Sequence, residues 1–232
     1  MVYPVFIISL DVELLWGFVL SPQSKRAKLL RADPQSGRGT IKFLLNTFEK
    51  YKIPATWAIV GHLFLEHCQK EHNMLPKWHD WDPGTNIHES PLYYGKDIIK
   101  EIMTSQVKHE IGYHSFSHVP FSKISREIAE VEIDTGISLA KELGLTLKSF
   151  VFIGNDIGHI GVLKERGFEI YRGHTLTEGN IEQSLLSQIF HGVINRMIAE
   201  PTEPVDRDGI WEIPASLYFL RPPISVHPSA SQ

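Results

Sequence analysis

The sequence predicts a single α/β domain in which parallel strands are joined by crossover helices. Its 232 residues contain no Pro/Gly/Ser-rich linker, and one barrel-sized domain commonly runs to about 200–250 residues. Short apolar, β-rich runs alternate with longer segments of helical period, the mark of βαβ units. The composition, 42% apolar, 22% charged and 10% aromatic, is that of an ordinary globular chain and excludes disordered, collagen-like and low-complexity readings.

The predicted strands are residues 2–10, 55–60, 110–113, 149–153, 168–171 and 210–213. Between the first two, Ile41, Leu44, Leu45, Phe48 and Tyr51 fall at helical spacing and define one buried stripe. Ile124, Ile128, Val131, Ile133, Ile137 and Leu143 predict a longer helix that Gly144 closes, and Leu185, Ile189, Val193, Ile194 and Met197 predict a third. Residues 71–95 interrupt this rhythm with Pro76, Pro83, Gly84 and Pro91 and read as a long surface loop. Loops of that length are often functional, so Trp78, Trp81, Tyr93 and Tyr94 stand either as ligand contacts or as rings that pin the loop to the body.

Charge and cysteine content narrow the function. Twenty-three Lys and Arg against 27 Asp and Glu leave a net charge of −4, no footprint for nucleic acid or an anionic membrane. One cysteine, Cys68, cannot form a disulfide within the chain or a multi-thiolate zinc site. No run reaches the roughly 20 apolar residues of a membrane span. The N-terminus shows no basic start and no secretory apolar core, which predicts a cytoplasmic protein. Oligomeric state is not legible.

Among 12 histidines only His114 and His118 are spaced by four, and roughly 0.6 such pairs arise by chance, so context must supply the meaning. The pair follows the apolar run 110–113, at the carboxyl end of a predicted parallel strand, where ligands gather in α/β folds. Two neutral imidazoles there suit a zinc-type divalent cation, which then needs a carboxylate or a third nitrogen and an open position for water. Asp11 and Glu13, spaced by two at the end of the first apolar run, project from one side of an extended chain. One can bind the cation while the other takes protons from its water; the structural alternative is a capping Asp11 and a solvated Glu13.

Ser9 to Glu13, Ile53-Pro54-Ala55-Thr56-Trp57-Ala58-Ile59-Val60-Gly61 and His109 to His118, in this order and at these intervals, resemble the NodB-homology polysaccharide deacetylases, carbohydrate esterase family 4. The His-Ser-x-x-His stretch behind Glu-Ile-Gly is the most diagnostic. Phe150 to Asn155 resembles the family's third motif, and Val162 to Phe168 resembles the helix and strand after it, so the likeness covers about residues 3–172. It implies a deformed (β/α) barrel of six to seven parallel strands, in one domain over 1–232 with a tail of about 15 residues. It also implies hydrolysis of an N-acyl, chiefly N-acetyl, amide on an amino sugar or polysaccharide precursor. Residue by residue, Asp11 matches the base, His114 and His118 match the metal histidines, and Glu13 substitutes for the usual metal aspartate, whose place Val12 occupies. The implied cofactor is a divalent cation, zinc first, with cobalt, manganese or nickel as alternatives.

Asn155, Trp57 and Trp81 are the expected substrate contacts. Asp156 is expected to cap the helix through Val162, and His62 to start a helix after the second strand. The family's usual third-motif arginine is absent; Gly154-Asn155-Asp156 stands there instead. Its general-acid histidine has only His227 as a candidate, in a segment that does not read as a closing strand and helix, so the barrel is expected to be truncated or reduced there. Two further readings remain open at this point: an amidohydrolase or deformylase of a small non-sugar amide, and a non-catalytic carbohydrate-binding relative.

Overall fold

The computed structural model describes residues 5–174 and 202–215. Seven strands form one sheet: β1 (Ser9–Val12), β2 (Thr56–Ile59), β3 (Glu110–Tyr113), β4 (Ser149–Val151), β5 (Ile170–Gly173), β6 (Val205–Asp206) and β7 (Trp211–Pro214), in the order β1-β2-β3-β4-β5-β7-β6. Every pairing is parallel except the antiparallel β6–β7 pair. Five strands laid down in sequence order are singly wound, as in a (β/α) barrel, and not doubly wound about a switch point. Among the described residues the sheet is not closed. It curls nevertheless, because Arg172 on β5 hydrogen-bonds Asp11 on β1, so strands four apart in the pairing order line one interior.

Among the described residues six α-helices connect the strands: α1 (Lys25–Ala32), α2 (Ser36–Tyr51), α3 (Pro76–Trp81), α4 (Lys96–Thr104), α5 (Arg126–Glu142) and α6 (Ile160–Glu165). Ile41, Leu45 and Phe48 of α2 are buried as their spacing predicts, whereas Tyr51 is exposed because the helix ends at Lys52 in a left-handed turn. In α5 the period identifies the helix and places Ile133 in the core, with Ile124, Ile137 and Leu143 half-buried beside it, but it does not give the centre of the inner face. The buried side is Ala129, Glu132, Ile133, Gly136, Leu139 and Ala140, and its glycine lets the helix approach β3. A side chain at Gly136 would run into the Tyr113 ring. Gly144, at φ +71°, follows the helix end as expected.

Several boundaries differ from the sequence reading. β1 begins at Ser9, not Val2; Val5, Phe6 and Ile7 are exposed, since the ladder with β2 starts at the Ser9–Thr56 pair. β4 ends at Val151, where residues 153–155 coil into a tight 3₁₀ turn. The 71–95 loop contains α3, with Pro76 in its first turn. The predicted third helix and His227 lie outside the described residues.

Candidate active site

Strand register builds the site. Val12, Ile59, Tyr113 and Phe150 are aligned across β1 to β4, and Arg172 pairs with Val151. One residue further on, at the carboxyl ends, the chain therefore places Glu13, His114, Val151 and Arg172 at one level. His114 Nδ1 donates to the Val151 carbonyl at 2.7 Å, which turns Nε2 toward Glu13 Oε1 at 3.1 Å. His118 Nε2 lies 3.1 Å from the same oxygen. The two rings are 5.1 Å apart and nearly perpendicular.

This arrangement fits a divalent cation. A carbonyl only accepts, so Nδ1 of His114 carries a hydrogen, and Nε2, directed at a carboxylate oxygen, is the atom that offers a lone pair to a cation when the ring is neutral. Metal-bound imidazoles are oriented in this way, by a backbone carbonyl behind them. Ligand bonds of about 2.0–2.2 Å in tetrahedral array give N···O edges of about 3.3–3.5 Å, near the observed spacing, and two His plus one Glu with an open fourth position is a catalytic zinc pattern. Burial would raise the Glu13 pKa, yet the two imidazoles hold it well below the usual carboxylate range. Burial depresses both histidines; for His114 the Glu13 hydrogen bond and the Asp11 charge reverse the sign and raise it, while His118 stays lowered.

The supporting turns are specific. Ser115 and His118 both adopt left-handed backbone angles, φ +56° and +65°, and the Ser115 hydroxyl accepts the His118 N–H. Glu132, buried on α5, accepts the Phe116 and Ser117 N–H groups and the Ser117 hydroxyl. Three hydrogen bonds to one carboxylate thus hold the segment between the histidines, although burial still raises the Glu132 pKa. Trp78 of α3 donates its indole N–H to the His118 carbonyl at 3.3 Å. Glu13 opens the 3₁₀ turn Leu14–Phe18, and its carboxylate fills the space where a Gly17 side chain would stand.

Asp11, within β1, receives a two-pronged hydrogen bond from Arg172, at 2.7 and 2.8 Å. Planar guanidinium–carboxylate pairing fixes the orientation of both groups.

The structure brings Glu13, His114 and His118 together and sets Asp11 beside them. Asn155 is buried in the turn after β4. Trp57 does not join them: it is a core ring packed on Phe48 and His109, because its strand position faces the helical layer. Trp81 is half-buried against Tyr93, with Arg31 over its ring, and Trp78 and Tyr94 are buried. Asp156 is no helix cap; its carboxylate takes the Ser122 N–H and hydroxyl, and His159 precedes α6. His62 enters a helix after β2 as expected, the short 3₁₀ helix Gly61–Phe64, and is fully buried there. Sequence reasoning missed Arg172, Glu132 and Gly17. A charged residue ending an apolar strand and a carboxylate inside an apolar helical stripe were the available signals for the first two.

The family model for polysaccharide deacetylases matches residues 30–146, a stretch holding both site histidines. No curated protein sequence matches the chain. Among solved structures, a protein of Mycobacterium smegmatis described as a polysaccharide deacetylase superposes with a TM-score of 0.52 at 15% identity, over 97% of this chain and 68% of that one. A family 4 acetyl xylan esterase from Clostridium thermocellum, in complex with cobalt, gives a TM-score of 0.41 at 18% identity, over 82% of this chain and 67% of that one. No helix among the described residues is long and apolar enough to cross a membrane. With its matched family model spanning half its length, the chain belongs to the polysaccharide deacetylase family.

Proposed function

We propose that the protein is a divalent-metal-dependent deacetylase that hydrolyses an N-acetyl amide on an amino sugar or polysaccharide precursor. The observation that carries this reading is the convergence of His114 Nε2 and His118 Nε2 on a single Glu13 oxygen, at 3.1 Å each, at the carboxyl rim of the sheet. Glu13, His114 and His118 would hold the cation, with zinc the best match to the donor set. When bound, it polarises the attacking water and the amide carbonyl.

The chain's own residues supply the rest. Asp11 accepts the proton of the attacking water, acting as general base. Arg172 keeps the Asp11 carboxylate in one orientation through its paired hydrogen bonds. Glu132 and Ser115 fix the turn that aims the histidines, so no reorganisation is needed as charge develops. Asn155, buried beside this rim, is the proposed contact for the acyl group, and Trp81 with Tyr93 the proposed apolar face for a sugar ring.

The test is acetate release from a panel of N-acetylated sugars by zinc-loaded protein. Asp11→Asn is expected to keep its metal and lose about 10²–10⁴-fold in rate, the range for removing a general base. Equal acetate release by Asp11→Asn and the unaltered protein would overturn the assignment of the base. Equal metal content in His114→Ala would overturn the centre itself.

A further inference from the structure

A second cluster of ligand-type side chains lies outside the deacetylase centre. His62, Cys68 and Asp82 present one nitrogen, one sulfur and one oxygen within 4.8 Å of one another, and all three are at most 1% exposed. His62 Nε2 stands 3.4 Å from Asp82 Oδ2, and Cys68 Sγ stands 3.2 Å from the same oxygen.

From these observations we infer that His62, Cys68 and Asp82 form a second, closed divalent-cation site of zinc type, which staples the 61–95 segment to the body of the protein.

Donor bookkeeping supports it. His62 Nδ1 lies 3.0 Å from the Tyr93 carbonyl, which can only accept, so Nδ1 carries a hydrogen and Nε2 is the ring atom directed at Asp82. That Nε2 is buried without a hydrogen-bond partner among the described residues, an expensive state for a fully enclosed polar atom. Asp82 divides its oxygens: Oδ1 accepts the Gly84 N–H and lies 3.4 Å from the Tyr94 hydroxyl, which leaves Oδ2 to the cluster. Outer partners of this kind orient metal ligands. The Lys70 N–H points at the Cys68 sulfur at 3.2 Å, a contact that favours thiolate. Without a cation, burial and the adjacent Asp82 push the Cys68 thiol up to about 12.

Geometry and charge agree. Bonds of about 2.0–2.3 Å in tetrahedral array separate ligand atoms by about 3.3–3.6 Å, close to the spacings found. One thiolate and one carboxylate cancel a dication, so the loaded site buries no net charge. His72, with a ring nitrogen within 4.8 Å of the Cys68 sulfur and a buried Nε2 lacking a hydrogen-bond partner among the described residues, is the neighbour available for the fourth position. Binding displaces the Cys68 thiol proton to solvent and forms the S–metal bond; no electron is transferred.

The consequence is structural. His62 packs on Trp16, at 4.4 Å between rings, and Trp16 follows Glu13 in the same turn. Trp78 of the stapled segment holds the His118 carbonyl. A cation here would thus fix two walls of the deacetylase centre without touching its ligands.

Cobalt(II) substitution tests this. Cys68 is the only cysteine in the chain, and the Glu13–His114–His118 centre contains no sulfur, so a near-ultraviolet thiolate-to-cobalt charge-transfer band can come only from the proposed site. The band is expected in the unaltered protein, saturating at one cobalt per chain, to persist in His114→Ala, and to vanish in Cys68→Ser. Its absence from the unaltered protein at saturating cobalt would overturn the proposal, even if Cys68→Ser fails to fold. Because the His114→Ala arm loses only the other centre, failure of the deacetylase reading and failure of this one are separate results.

Discussion

The two clusters use similar donors in opposite settings. Glu13 and His114 sit just past strand ends aligned by β-ladder register, His118 sits on the braced turn after β3, and the Glu13 side chain is 30% exposed, so a face stays open to water and substrate. His62, Cys68 and Asp82 hang on turns and a loop, and none is more than 1% exposed. An open three-ligand set on rigid strands is suited to turnover, whereas a closed one in irregular chain is suited to holding that chain in place. The same residue types therefore predict different losses when either is damaged.

The largest expected contrast is between His114→Ala and Cys68→Ser. Removing His114 deletes a proposed ligand of the open centre. Since outer-sphere changes at metal sites already cost about 10–100-fold, acetate release should fall by more than about 100-fold with little change in melting temperature. Cys68→Ser should instead lower the melting temperature and speed proteolysis within residues 61–95, while retaining measurable activity. Paired melting curves and acetate assays decide it; identical profiles for the two variants would erase the distinction.

Next in size is Arg172→Lys. Lysine keeps the positive charge but not the planar fork that matches both Asp11 oxygens, so kcat is expected to fall about 10–100-fold, the cost typical of an orienting partner, with KM and metal content unchanged. A smaller effect is expected from Gly17→Ala, whose new methyl must displace the Glu13 carboxylate. Zinc affinity of the open centre should weaken, as measured by competition with a chelator, and the cobalt–thiolate band should not move.

The sequence disclosed the open centre far better than the closed cluster, for a physical reason. His114 and His118 share one turn, and Asp11 and Glu13 share one strand end, so local spacing alone places them together. Arg172 lies 161 residues from Asp11, and only the curl of the sheet joins them. Cys68 and Asp82 are 14 residues apart in a Pro-rich segment without period, where no regular geometry relates one side chain to another. The alternation of strands and helices was similarly plain. The inner face of α5 was legible only in part: Ile133 is buried as its spacing suggests, but apolar size also suggested Ile128 and Val131, whereas close approach to Tyr113 demanded Gly136.

The smallest expected effect is that of Glu132→Gln, and it separates positioning from charge. Burial raises its folded pKa above the ordinary 4.5 despite three hydrogen bonds. An acid whose folded pKa is raised binds more protons folded than unfolded between the two values, so stability falls as pH rises through that window. Glu132→Gln removes this dependence while its side-chain oxygen still accepts the Phe116 and Ser117 N–H groups and its amide donates to the Ser117 hydroxyl. The variant should therefore gain stability relative to the unaltered protein as pH climbs above 4.5, with the His114–His118 turn intact and metal affinity nearly unchanged. Glu132→Leu, which leaves two buried N–H groups unsatisfied, should instead cost about 1–3 kcal/mol for each. Denaturant titrations of the three proteins at several pH values read the difference directly, and a Gln variant as unstable as the Leu one would mean that the charge, not the acceptors, holds the turn.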